Sequence, residues 1–164
     1  MLRGINLGKR RVTNARLAEL FELAGCEGVS TFQAAGNVLF EHGPDVRVIR
    51  TTLEEGLGYD VAVYVRTATE MVRIATAPPF PDLHPQKPAS LLVTFFDSEV
   101  PKAVEAASND VDVLRADGRE LYWLAGNGVA NTTLDWRPVE QHLADPGTNR
   151  NITTVRKLAD RLAE

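Results

Sequence analysis

The stretch VSTFQAAGNVLFE (residues 29–41) reads as two short strands, VSTFQA and VLFE. They join at Gly36-Asn37, a dipeptide that supplies the backbone freedom a tight hairpin turn requires. Before the hairpin, VTNARLAELFELAG carries a helical signature. Thr13 is its expected N-cap, Val12 and Leu17 a hydrophobic staple and Gly25 its stop, while Leu17, Leu20, Phe21 and Ala24 form one apolar face. After the hairpin, Asp45 caps a second helix whose Val46, Ile49, Leu53 and Leu57 recur at intervals of three and four. LRGINLG precedes all of these as the end of a strand entering a loop. DVAVYVR follows them as a strand with Val61, Val63 and Val65 alternating. The resulting order is βαββαβ, the ferredoxin-like pattern.

Thr67 and Glu70 then form a capping box for a third helix, which the Pro-rich APPFPDLHPQKP ends. Beyond it the pattern partly repeats. SLLVTFF reads as a strand, EVPKAVEAA as a helix, and VDVLRA and ELYWLA as strands around Asp117-Gly118. No closing strand is visible after them, only VEQHLA and a helix from about Asn151 with Ile152, Val155, Leu158 and Leu162 facing inward. The expectation is an α+β chain with two ferredoxin-like halves in tandem, the second lacking a clear closing strand. The first half spans residues 1–68, a helix and Pro-rich linker 69–88, and the second half with its C-terminal helices 89–164.

Composition narrows the function classes. The 164 residues are 44% apolar and 24% charged, with a net charge of −4, values ordinary for a globular chain. An acidic balance disfavours nucleic-acid binding by bulk electrostatics. No apolar run approaches the ~18 residues of a membrane span, and no signal-peptide core opens the chain. A single cysteine, Cys26, permits no internal disulfide and fits a reducing cytoplasm.

Three polar clusters are candidate sites. Arg3, Gly4 and Asn6, with Gly8, stand where the first strand hands over to a helix, so an Arg and loop amides there can hold a phosphate or carboxylate. The structural alternative is a tight loop in which Asn6 satisfies backbone groups. Lys9, Arg10 and Arg11 add charge beside it. Gln33 and Asn37 form the second cluster, with a plain hairpin turn as the alternative; simple topology separates that turn from the end of the first strand unless Gly36-Asn37 lies within a strand. Thr148, Asn149, Arg150 and Asn151 form the third, at the start of the last helix, with Arg156, Lys157 and Arg161 along its polar side. There the alternative is a capped surface helix.

Catalytic patterns are thin. His42, His84 and His142 are scattered without metal-ligand spacing, and no nucleophile elbow, Walker loop or dinucleotide fingerprint occurs. Cys26 reads as a small buried hydrophobe, and Trp123 and Trp136 as core. No metal and no cofactor is expected.

LRGINLG, TFQAAGNVLF and TNRNITTVRKL, in that order, resemble the domain-of-unknown-function family 1697, a bacterial family of cytosolic type. The resemblance runs nearly end to end and implies an α+β fold with two ferredoxin-like halves. Its matching positions are Arg3, Gly4, Asn6, Gly8, Gln33, Gly36, Asn37, Thr148, Arg150, Asn151, Thr154, Lys157 and Leu158. The family commonly has Ser where this chain has Ala35, and more apolar residues before LRGIN. The resemblance favours the first and third clusters as one shared site, with Arg3 and Asn6 near Thr148–Asn151. The expected function is a binding module for an anionic or phosphorylated small ligand. An enzyme acting on a phosphorylated or nucleotide-like substrate ranks below it for want of a base or nucleophile, and an RNA-associated or protein-interaction module below that.

Overall fold

In the computed structural model, residues 1–6, 8, 11–33, 36–80 and 89–163 are described. Lys9, Arg10, Ala35, His84 and the latter part of the Pro-rich stretch lie outside them. The chain divides into two compact units, Met1–Val65 and Arg66–Glu164.

The first unit runs β1 (Leu2–Arg3), α1 (Asn14–Leu23), β2 (Ser30–Phe32), β3 (Asn37–Leu39), α2 (Val46–Leu57) and β4 (Ala62–Val63). β1 pairs antiparallel with β4, Leu2 opposite Val63. β2 pairs antiparallel with β3, Phe32 opposite Asn37. The expected caps form. The Thr13 hydroxyl accepts from the Arg16 N–H at 3.1 Å and the Asp45 carboxylate from the Arg47 N–H at 2.8 Å. Leu17, Leu20, Phe21, Ile49, Leu53, Val61 and Val63 make the apolar core. Gly56 sits inside α2 despite its poor helix propensity because Leu20 of α1 occupies the space a Cβ would need.

Gly36 stands in the turn that joins β2 to β3, but Asn37 does not. Asn37 is the first residue of β3 and is buried, and its Nδ2 donates to the Phe32 carbonyl at 3.3 Å. The dipeptide straddles the end of the turn and the start of the strand, and the Asn37 side-chain amide ties the two strand ends together. Nor is this segment separated from the first strand: the Leu2 N–H donates to the Gly36 carbonyl at 2.8 Å.

The second unit holds α3 (Ala68–Thr76), β5 (Ser90–Phe95), a 3₁₀ segment Lys102–Ala107, β6 (Asp112–Asp117), β7 (Glu120–Ala125), a short 3₁₀ turn Val129–Asn131, α4 (Arg137–Glu140), β8 (Thr148–Asn151) and α5 (Ile152–Leu162). Thr67 and Glu70 form the capping box of α3. The sheet is antiparallel with strand order β6-β7-β5-β8. Here the structure departs from the sequence expectation. A closing strand exists: TNRN is β8, with Thr148 opposite Phe95 and Asn151 opposite Leu92. Asn and Arg carry little strand propensity, and pairing with β5 overrides it. Within EVPKAVEAA the expected helix forms over Lys102–Ala107, of 3₁₀ type and entered from Pro101 without a side-chain cap.

Strand alternation divides the core of this unit. Leu114, Ala116, Leu121, Trp123 and Ala125 face Val104, Leu134 and Val139. On the other face of β5 and β7 lie Leu91, Val93, Phe95, Glu120, Tyr122 and Leu124, all buried. α5 packs on β5, and α3 on α5.

Candidate functional site

Of the sequence-predicted residues, Arg3, Gly4, Asn6, Gln33 and Asn37 belong to the first unit, and Thr148, Arg150, Asn151 and Lys157 to the second.

In the first unit the RGIN loop leaves β1 with Arg3 exposed, Ile5 buried and Asn6 exposed. Gly4 and Gly8 adopt positive φ, +83° and +60°, and no described atom stands within 4 Å of where their Cβ atoms would be. The loop is pinned between them. The Asn6 carboxamide oxygen accepts from the Val12 N–H at 3.0 Å, and the Tyr59 hydroxyl donates to the Ile5 carbonyl at 3.3 Å. Arg11 Nη1 donates to the Gly8 carbonyl at 3.0 Å.

The second cluster adjoins this loop. Gly36, at φ +70°, lies against Ile5 and Leu2; a Cβ there would stand 2.8 Å from Ile5 Cδ1 and 3.2 Å from Leu2 Cβ. Gln33 is exposed and holds φ +57°, the non-glycine residue with positive φ among those described, a conformation uncommon outside glycine. The polar groups of these two segments are a guanidinium, carboxamides and backbone N–H groups. Such groups bind and orient an anion but exchange no proton near neutral pH.

In the second unit Thr148 is buried and Arg150 half-buried on β8. Arg150 Nη1 donates to the Thr148 hydroxyl at 2.9 Å and to the Asn149 carbonyl at 2.7 Å. Burial pulls the Arg150 guanidinium below its ordinary pKa. Asn151 ends β8 and caps α5, its Oδ1 accepting from the Thr153 N–H at 2.9 Å, so the expected cap forms. Lys157 is exposed on α5.

Sequence reasoning missed the ionic cluster built around the buried Arg66–Glu120 pair of this unit. Arg66 donates through Nε to Glu120 at 2.6 Å, through Nη2 to the carbonyls of Phe96 and Arg119, and lies 5.5 Å from the Phe95 ring centroid. Arg73 bridges Asp117 at 2.5 Å and Glu120 at 3.1 Å, and Arg119 pairs with Glu70 at 2.7 Å. Its partners are too far apart in sequence for any local pattern to reveal them. Tyr122, fully buried beside them, has a hydroxyl with no hydrogen-bond partner among the described residues. Burial, then the Glu120 charge, push its pKa upward. Among the described residues no group of three or more His, Cys, Asp or Glu is arranged to hold a metal, and no helix is long and apolar enough to cross a membrane.

Small antiparallel sheets with helices packed on them make this an α+β protein. The same fold occurs in the conserved bacterial protein SP0830 from Streptococcus pneumoniae, at 19% identity and a TM-score of 0.68, over 99% of this chain and 96% of that one. The chain belongs to the family of proteins of unknown function DUF1697, which it matches over residues 1–122. That span carries the LRGINLG and TFQAAGNVLF motifs; TNRNITTVRKL lies beyond it. No curated protein matches the chain.

Proposed function

We propose that the chain is a binding module for an anionic or phosphorylated small ligand, with Arg3, Gly4, Asn6, Gln33 and Asn37 contributing in the first unit and Thr148, Arg150, Asn151 and Lys157 in the second. The observation that carries the reading is the meeting of the first two clusters. The Leu2–Gly36 hydrogen bond and the seating of Ile5 against Gly36 bring the RGIN loop beside the segment that follows β2. An exposed guanidinium, exposed carboxamides and loop N–H groups then share one end of the unit, a donor set suited to a phosphate or carboxylate. The exposed Lys157 and the half-buried Arg150 supply cationic donors in the second unit. We infer too that both units are variants of the βαββαβ plan. The element order of the first and the strand order β6-β7-β5-β8 of the second support this. A lone cysteine supports a reducing, cytoplasmic setting.

A thermal-shift screen against nucleotides, sugar phosphates and acidic metabolites tests the function. A ligand that binds only the folded chain raises Tm by mass action, by several degrees at a large excess over Kd. Arg3→Ala is expected to abolish the shift, measured against its own unliganded Tm; Arg150→Ala asks the same of the second unit. If no probe stabilises the wild-type chain, the proposal falls.

A further inference from the structure

We infer that Tyr59 is a positioning residue of the RGIN loop, holding it in the shape in which it receives an anion; this rests on the anion-binding reading above. Tyr59 belongs to none of the three polar clusters. It lies between α2 and β4, half-buried against the core of the first unit. Its hydroxyl reaches the carbonyl of Ile5 at 3.3 Å across 54 positions of sequence.

What that contact governs follows from peptide geometry. A trans peptide is planar, so its C=O and the next residue's N–H point in opposite directions. Directing the Ile5 carbonyl toward Tyr59 therefore fixes the direction of the Asn6 N–H, a backbone donor at the centre of the loop. The Ile5 side chain is held as well, filling the space beside Gly36 where a Cβ would stand 2.8 Å from its Cδ1. Just past it, the Asn6 side chain is engaged by the Val12 N–H. Glycines at positions 4 and 8 give the loop freedom to adopt other shapes, and ordering such a segment on binding costs affinity. A loop whose glycines loosen it and whose Ile5 carbonyl is tethered by a remote tyrosine is preorganised, and the tether is the part that sequence patterns do not show.

The test uses Tyr59→Phe, which removes one oxygen and keeps the ring. Wild type, Tyr59→Phe and Arg3→Ala are titrated with inorganic phosphate while the amide signals of Asn6 and Gly8 are followed by NMR, and the unliganded Tm of each is recorded. The wild-type Asn6 signal is expected to shift saturably. In Tyr59→Phe the Asn6 signal should move before any phosphate is added, and phosphate should bind roughly three- to tenfold more weakly, the loss of one hydrogen bond's contribution. A lowered Tm with unchanged phosphate affinity would mean a purely structural tyrosine and overturn the inference while leaving the anion-binding reading intact. A wild-type chain that does not respond to phosphate, nor to any probe of the thermal screen, overturns both.

Discussion

In the first unit the one buried polar side chain among the described residues is Asn37, whereas the second buries Asp112, Glu120 and Thr148 together with the guanidinium of Arg66, 1% exposed. The first unit is held by apolar packing and by close approaches of backbone to side chain at Gly36 and Gly56. The second adds these polar groups, each with hydrogen-bond partners, beside a Tyr122 hydroxyl that has none among the described residues. Asp112 accepts from Trp123 Nε1, the Thr132 hydroxyl and the Thr133 N–H, and Glu120 from Arg66 and Arg73. The difference teaches where each unit is brittle. An apolar core yields by degrees when a methyl group is lost, while a buried ion pair fails when either partner goes, since the other is left charged and dry.

The sharpest test of that contrast is Glu120→Ala. It leaves Arg66 buried without its carboxylate and should cost about 3–5 kcal/mol, read by urea unfolding with amides of β5 and β7 as reporters. A cost below about 1 kcal/mol would show that the carbonyls of Phe96 and Arg119 suffice for Arg66, and the contrast would dissolve. Next in size is Gly36→Ala in the first unit. It imposes positive φ on a side-chain-bearing residue and presses on Ile5, for an expected roughly 1–3 kcal/mol. Hydrogen exchange at β1 and β3 should rise, and unchanged exchange there would show that the close approach at Gly36 is not needed.

The smallest effect is acid sensitivity. Burial opposes ionisation of Glu70, but hydrogen bonds from the Thr67 N–H, Arg119 and the Thr67 hydroxyl outweigh it and hold the carboxyl below its ordinary value of 4.5. Glu105 is likewise held low against burial by the Ala116 N–H and Lys102. A carboxyl lowered on folding contributes stability that is fully present above its unfolded pKa and is lost as pH falls through the folded one. The second unit should therefore weaken as pH drops below about 4.5, and Glu70→Gln should flatten that slope. A slope indifferent to Glu70→Gln would remove the capping box from the account. Asp45, the corresponding cap of α2, is exposed, and solvent screening leaves its contribution small.

Helices were legible in the sequence and strands less so, for a physical reason. Thr13, Asp45, Thr67 with Glu70, and Asn151 all cap the helices expected of them, because capping is settled within a few residues of chain. Gly36 was legible as a turn position, but Asn37 was read into the same turn although it begins β3, since its place there depends on Phe32. β8 was invisible because Thr-Asn-Arg-Asn has no strand character of its own and acquires it from β5. The candidate residues of the RGIN loop announced themselves by type. Tyr59, which holds Ile5 in place, did not, because a tyrosine in a core pattern looks like any other.

The position of β8 also bears on the making of the molecule. β5 lies inside the finished sheet, yet its outer edge is covered by residues 148–151, which follow β6 and β7 in the chain. During synthesis from the N-terminus, the hairpin of β6 and β7 and its pairing with β5 can form while that edge still stands open. An open edge is a template for pairing with another chain. The segment that closes it is polar and short, a poor seed for aggregation while it waits, and α5, capped by the last residue of the strand, follows directly to press it home.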